Sequence, residues 1–337
     1  MRIGLIGLGM ASAPHAQSLI DLKDRVQVAG AYSPTRARRE AFHEKWDLPV
    51  TDDLDGLFAD PSVDAVVILT PPNSHRDLVK RAAEAKKHVL LEKPLEVSME
   101  RSVSLVELAE AGNIKLGVVL QHRFRPISVA LARLVAEGRL GEIVGASAKL
   151  FNWRPQSYYD QPGRGTRERD GGGVLLTQGI HTLDLLISVA GLPVEAMAYA
   201  TTTPVHRMET EDLVAGAVRF SNGALGTVSA TTCGYPGLPD AIEIIGTKGT
   251  ARIDGAKLTA NLHDSSTVEL DDGQLGGGAG ADPMAFSHAH HRAVLEDFAD
   301  AVERDREPRI SGREALKVHR LIDAMLRSSL SGRPESV

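Results

Sequence analysis

Arg2-Ile3-Gly4-Leu5-Ile6-Gly7-Leu8-Gly9-Met10-Ala11-Ser12 places a short apolar run, two spaced glycines and a small polar residue just where helical periodicity begins. The run 3–6 is rich in Leu and β-branched residues, as a strand buried on both faces of a parallel sheet must be. Gly7 and Gly9 match the first two glycines of G-x-G-x-x-G/A, and Ser12 stands in the third place, small enough for close helix–strand packing. In such a turn the first glycine allows the tight bend, and the second lets the main chain approach a pyrophosphate at the helix N-terminus. Gly7, Gly9 and Met10 are therefore the expected dinucleotide contacts. The competing reading is a tight structural turn, and the motif alone does not separate the two.

The surrounding pattern extends the first reading. Apolar runs at 26–32, 65–69, 88–91 and 115–120 alternate with amphipathic stretches at 11–22, 35–46, 74–87 and 99–111. Strands alternating with helices predict a parallel, doubly wound sheet, so residues 1–121 are read as a Rossmann domain. Beyond Gln121 the pattern changes. Helices are predicted at 127–137 and 175–189 and a long strand at 141–151. Ser221-Asn222-Gly223 and Gly246-Thr247-Lys248-Gly249 each mark a turn between strands. Residues 122–337 are thus expected to form an α/β domain with a large, mostly antiparallel open sheet that binds substrate and mediates self-association. Helices at 290–304 and 313–329 close the chain, the last free to pack back on the first domain. Residues 273–280 read as a mobile loop.

Composition narrows the function classes. The chain has 337 residues, 42% of them hydrophobic, with 38 Lys and Arg against 44 Asp and Glu, a net charge of −6. Mild acidity points away from nucleic acid and membrane surfaces, which favour basic patches. One cysteine, Cys233, excludes a disulfide framework and a Cys-rich zinc site. No apolar run approaches the length of a membrane span, and Met1-Arg2-Ile3-Gly4 begins as a strand with no signal-peptide pattern, so a cytoplasmic location is expected.

Site chemistry comes from the strand ends, where open α/β sheets bind ligands. The second strand ends Tyr32-Ser33-Pro34-Thr35-Arg36, without the acid that grips a ribose 2′-hydroxyl in NAD-selective folds. Ser33 and Thr35 can bond a 2′-phosphate and Arg36 or Arg38 can pair with it, a lean towards NADP over NAD. The bland alternative is a solvated helix face. Thr70-Pro71-Pro72-Asn73-Ser74-His75 and Glu92-Lys93-Pro94 follow the strands at 65–69 and 88–91, which makes Thr70, Pro71, His75, Glu92 and Lys93 cofactor contacts. Pro94 keeps Lys93 extended. Its amine can enter the cofactor crevice or form a surface pair with Glu92. Thr177, His181 and Asp184 are spaced four and three apart, one helix face. His288, His290 and His291 with Asp282 do not have a zinc spacing, and no metal is expected. Tyr158, with Trp153, Arg154 and Tyr159, offers a wall for a ring substrate or a packing contact.

Taken in order, the Gly7–Ser12 loop, Thr70-Pro71-Pro72 with His75, Glu92-Lys93-Pro94, Arg123-Phe124, and Gly171-Gly172-Gly173 leading to His181 and Asp184 resemble the Gfo/Idh/MocA family, named for glucose–fructose oxidoreductase and inositol dehydrogenase. The resemblance runs nearly the whole length. It implies a cytoplasmic NAD(P)-dependent oxidoreductase that moves hydride between nicotinamide and a secondary hydroxyl or carbonyl of a sugar, cyclitol, sugar acid or dihydrodiol. It implies that Lys93 lies near the nicotinamide and the reacting hydroxyl and that His181 contributes to proton transfer. Thr177 stands where many members carry an Asp, and it is expected to orient substrate. Gln121 and Arg123 are the further substrate-binding candidates. A homo-oligomer, dimer or tetramer, formed through the C-terminal sheet is expected. The rival functions are a dinucleotide sensor without turnover and an NAD-dependent glycoside hydrolase.

Overall fold

The computed structural model describes residues 1–273, 280 and 286–337. The chain divides into two compact units, Met1–Gln121 with Ser287–Leu316, and His122–Phe286 with Lys317–Val337.

The first unit is built on a six-stranded sheet in the order β3-β2-β1-β4-β5-β6, parallel throughout. Its strands are β1 (Arg2–Ile6), β2 (Gln27–Tyr32), β3 (Val50–Thr51), β4 (Ala65–Ile68), β5 (His88–Leu91) and β6 (Leu116–Val118). Between them run α1 (Ser12–Asp21), α2 (Arg36–Trp46), α3 (Leu54–Ala59), α4 (His75–Glu84) and α5 (Met99–Ala111). All four residues of β4 are buried, as are Val89, Leu90 and Leu91 of β5, because helices cover both faces of the sheet. Val50–Thr51 and Leu54–Ala59 lie within what the sequence pattern left as a connection. A two-residue edge strand carries no periodicity to detect.

The second unit holds α6 (Pro126–Ala136), β7 (Ile143–Phe151), the short α7 (Gln156–Tyr159), α8 (Ile180–Ala190) and β8 (Glu195–Thr201). It continues with β9 (Leu213–Arg219), β10 (Leu225–Thr231), β11 (Ala241–Gly246), β12 (Gly249–Asp254), β13 (Lys257–Leu262) and β14 (Thr267–Asp271). These strands, with the terminal β15 (Glu335–Ser336), form a nine-stranded sheet ordered β14-β13-β12-β11-β7-β10-β9-β8-β15. Every pairing is antiparallel except β7 with β10. Burial alternates along β12 and β13, so one face is core and the other is open.

α9 (Ala289–Glu303) belongs to the first unit and packs on α1, although it follows the whole second sheet in sequence. Gly117 of β6 lies against Phe298 of α9, and Ile310 accepts the Val118 N–H. α10 (Gly312–Ser331) starts in the first unit and continues into the second from Lys317.

Candidate active site

The first unit supplies the dinucleotide loop. Gly7 has φ +106°, and a Cβ there would stand 2.9 Å from the Leu69 carbonyl carbon. The bend therefore requires glycine for its own geometry. Gly9 is different: a Cβ built on it meets nothing within 4 Å. The protein leaves that side of Gly9 open, as a cradle for a phosphate does, and α1 begins three residues later. Ser12 donates its hydroxyl to the Gly9 carbonyl at 2.7 Å and fixes the end of the loop, and Met10 is 45% exposed beside it. These residues fit a dinucleotide pyrophosphate.

At the end of β2, Ser33 is buried, its Oγ accepting the Thr35 N–H at 3.3 Å. Arg36 pairs with Glu40 one turn along the exposed helix, and Arg38 is exposed. Arg39, which no motif singles out, donates to the Ser33 carbonyl at 2.7 Å.

His75 takes a different place from the one expected. Its ring is fully buried, with Nε2 2.8 Å from the Thr70 carbonyl and Nδ1 3.0 Å from the Pro94 carbonyl. A ring committed to backbone on both sides does not contact a cofactor. It ties the Thr70 turn to the Glu92-Lys93-Pro94 turn. Glu92 is likewise turned inward. Its Oε1 lies 2.8 Å from His15 Nε2 of α1 and its Oε2 accepts the Lys93 N–H at 3.1 Å. Lys93 itself is half-buried at the end of β5, and the Lys93–Pro94 peptide bond is cis. Thr70 and Pro71 stand at the end of β4, Pro71 exposed.

Gln121 opens the turn Gln121–Phe124 after β6. Its side-chain oxygen is buried and has no donor among the described residues, an acceptor suited to a ligand hydroxyl or amide.

The second unit carries the other expected residues. Thr177 lies in a π-helical turn, Leu175–Gly179, directly before α8. Such turns recur at functional sites because they re-aim side chains. Thr177 Oγ1 lies 2.6 Å from the Gly173 carbonyl, to which it donates, and touches the Gln178 side-chain oxygen. Gly173 is pinned there: Glu211 accepts the N–H groups of Gly173 and Leu175 and gives its own carbonyl to Val174. A Cβ on Gly173 would fall 1.8 Å from that carbonyl oxygen. Gly173 therefore lets the Glu211 main chain approach the helix start.

His181 is half-buried on α8, and its ring lies 5.0 Å from that of His122, tilted by 32°. His122, next to Arg123, is a site residue the sequence reading missed. Arg123 is engaged by Asp184 through a buried bidentate pair, Nε to Oδ2 at 2.7 Å and Nη2 to Oδ1 at 2.6 Å. Its fork thus ties the turn that carries it to α8. His181 and Asp184 do face one turn together, as their spacing predicts. Tyr158 accepts from Arg164 Nη1 at 2.6 Å and meets the Arg164 guanidinium on its ring face. Tyr159 is a core residue bonded to Thr232.

Two groups of metal-capable side chains occur among the described residues. His206, Asp212 and Cys233 pack together, with His206 nitrogens taken by Asp212 Oδ2 and the Arg154 carbonyl at 2.9 and 2.8 Å. His15, Glu92 and His291 form the other. Ligands of a tetrahedral zinc at 2.0–2.2 Å stand about 3.3 Å apart. The 2.8 Å between His15 and Glu92 is a hydrogen bond instead. Of the C-terminal histidines, His288 bonds Asp21 and His291 faces His15; Asp282 lies outside the described residues, as does most of the 273–280 stretch.

Residues 1–120 match the model of the oxidoreductase family with an NAD-binding Rossmann fold, and residues 128–252 match the GFO/IDH/MocA C-terminal domain. Myo-inositol 2-dehydrogenase of Thermotoga maritima is 28% identical over 328 residues, 93% of this chain and 92% of that protein. D-xylose 1-dehydrogenase (NADP(+)) 2 of Haloferax volcanii is 27% identical over 335 residues, 98% of this chain and 97% of that protein. The WlbA dehydrogenase from Bordetella pertussis, solved in complex with NADH and UDP-GlcNAcA, has a TM-score of 0.85 at 28% identity and covers 100% of this chain and 98% of its own.

Proposed function

Because the chain belongs to the Gfo/Idh/MocA family of oxidoreductases, we propose that it is an NAD(P)-dependent dehydrogenase or reductase acting on a secondary hydroxyl or carbonyl of a sugar, cyclitol, sugar acid or dihydrodiol. The observation that carries this is the pair formed by the open glycine cradle at Gly9 and Lys93 at the end of β5 in the same unit. When bound, the nicotinamide supplies the hydride acceptor or donor.

Lys93 takes the hydroxyl proton in the oxidative direction, and His181 contributes to proton transfer. Thr177 orients the substrate from the π-helical turn before α8. Gln121 accepts a ligand hydroxyl or amide, and Tyr158 walls the substrate. NADP(H) is the preferred cofactor, since Ser33 replaces an acid at the end of β2 and exposed Arg38 lies nearby. A lone thiol and no helix among the described residues long and apolar enough to cross a membrane accord with work in the reducing cytoplasm. The open sheet face pairs with a second copy.

A panel of cyclitols, sugars, sugar acids and dihydrodiols with each cofactor, read by absorbance of the reduced form, tests the activity. Lys93→Ala is expected to lower turnover about 10²–10⁴-fold while dinucleotide affinity stays. Near-normal turnover would reduce Lys93 to a structural residue. Separate titrations with NADPH and NADH decide the cofactor, tighter NADH binding reversing the preference.

A further inference from the structure

We propose that His15, Glu92 and His291 form a buried positioning network that sets the protonation of Lys93. The three come from different parts of the first unit: α1 directly behind the dinucleotide loop, the end of β5, and the start of α9. They are 2%, 8% and 4% exposed, so the network is shielded from solvent. The Glu92 carboxylate is divided between two duties. One oxygen takes the His15 bond, and the other takes the Lys93 backbone N–H. The His291 ring meets that of His15 edge-on, with centroids 5.2 Å apart.

The charges follow. Burial alone would push the Glu92 carboxyl up, but the His15 hydrogen bond, with the nearby Lys93 charge, holds it below its ordinary value. Burial, with the repulsion of His15, His290 and Lys93, pushes His291 down to about 3 against the pull of Glu92. His291 is therefore neutral at working pH. The network holds one buried carboxylate on the Lys93 main chain, and the hydrogen bond from His15 tempers it. An anion close to an ammonium favours the charged lysine. A lysine that must accept a proton needs that attraction limited, and His15 limits it.

The proposal rests on Lys93 as the proton acceptor, and its test reads Lys93 without turnover. Acylation of Lys93 is followed by mass spectrometry against pH in the intact protein, with Lys93→Ala identifying the labelled peptide. Glu92→Gln removes the anion, and the labelling midpoint is expected to fall by at least about one pH unit. His15→Phe keeps a ring but removes the donor, and the midpoint is expected to rise. Opposite shifts of this kind would not come from general loosening, which thermal unfolding of both variants monitors. If Glu92→Gln does not fold, an unmoved or lowered midpoint in His15→Phe overturns the network by itself. If both fold, midpoints that do not move, or move together, overturn it. If the midpoints shift oppositely while kcat/KM in both variants keeps its wild-type pH profile, the network stands and Lys93 is not the proton acceptor.

Discussion

At Gly7 the backbone is turned to φ +106° and a Cβ would press on Leu69, whereas at Gly9 nothing lies within 4 Å of one. Glycine at the first position serves the fold, and at the second it serves whatever approaches from outside. Gly7→Val is expected to destabilise the protein by about 1–3 kcal/mol or more. Gly9→Val should unfold with the wild-type midpoint yet lose at least about tenfold, 1.4 kcal/mol, in dinucleotide affinity. Thermal unfolding and a fluorescence titration on the same samples separate the two, and unchanged affinity in Gly9→Val would mean that the loop does not hold the pyrophosphate. These positions were legible because a strand, two spaced glycines and a helix leave few alternatives. His75 and Glu92 were legible as residues of the site but not as buried ones. Their partners, the Pro94 carbonyl and His15, lie 19 and 77 positions away.

The helix that carries His181 owes its start to contacts from a distant strand entry. Glu211 fixes Gly173 and Leu175, and the π-turn then shifts Thr177 relative to a regular helix. The helix itself was readable from apolar spacing. The extra residue in its first turn was not, since hydrogen-bond register has no composition of its own. Beside this helix, Thr182 donates to Asp240, and burial pushes the Asp240 carboxyl up to about 6 against that bond and the charges of Arg125 and Arg154. The sign for stability follows from proton counting. Below about pH 4 both folded and unfolded chains hold the proton. Between there and pH 6 the unfolded chain releases it first, so Asp240 costs stability as pH rises through that window, and the cost is level above it. Asp240→Asn keeps an acceptor for Thr182. Its Tm relative to wild type is expected to climb from pH 4 to 6 and then stay constant. A difference independent of pH would show that Asp240 is ionised throughout.

At the scale of the whole chain, the nine-stranded sheet has one face whose side chains alternate towards solvent. Its register places Met197, Tyr199, Leu213, Leu225 and Ile245 together on that open side, with Tyr199 71% and Leu225 63% exposed. Exposed apolar side chains spread over one sheet face are expected to take part in association. The double variant Tyr199→Lys, Leu225→Lys is expected to sediment as a monomer and keep its thermal midpoint, where the wild type sediments as a dimer or tetramer. A monomeric wild type at micromolar concentration would refute self-association. The alternation that leaves this face open was visible in the strands themselves, but its residues meet only through sheet order, which no local pattern states.

α9 completes the cofactor-binding unit with residues that follow the last long strand of the other unit. Phe298 seals Gly117, Ile310 pairs with Val118, and His291 closes over His15. On the ribosome, the first 121 residues therefore emerge with an unfinished core and must wait until the chain has passed Leu316 before that core can close. A gene fragment ending at Gln121 would yield a Rossmann sheet with α1 and β6 bare. The core of the first unit therefore closes only after most of the second unit has been made.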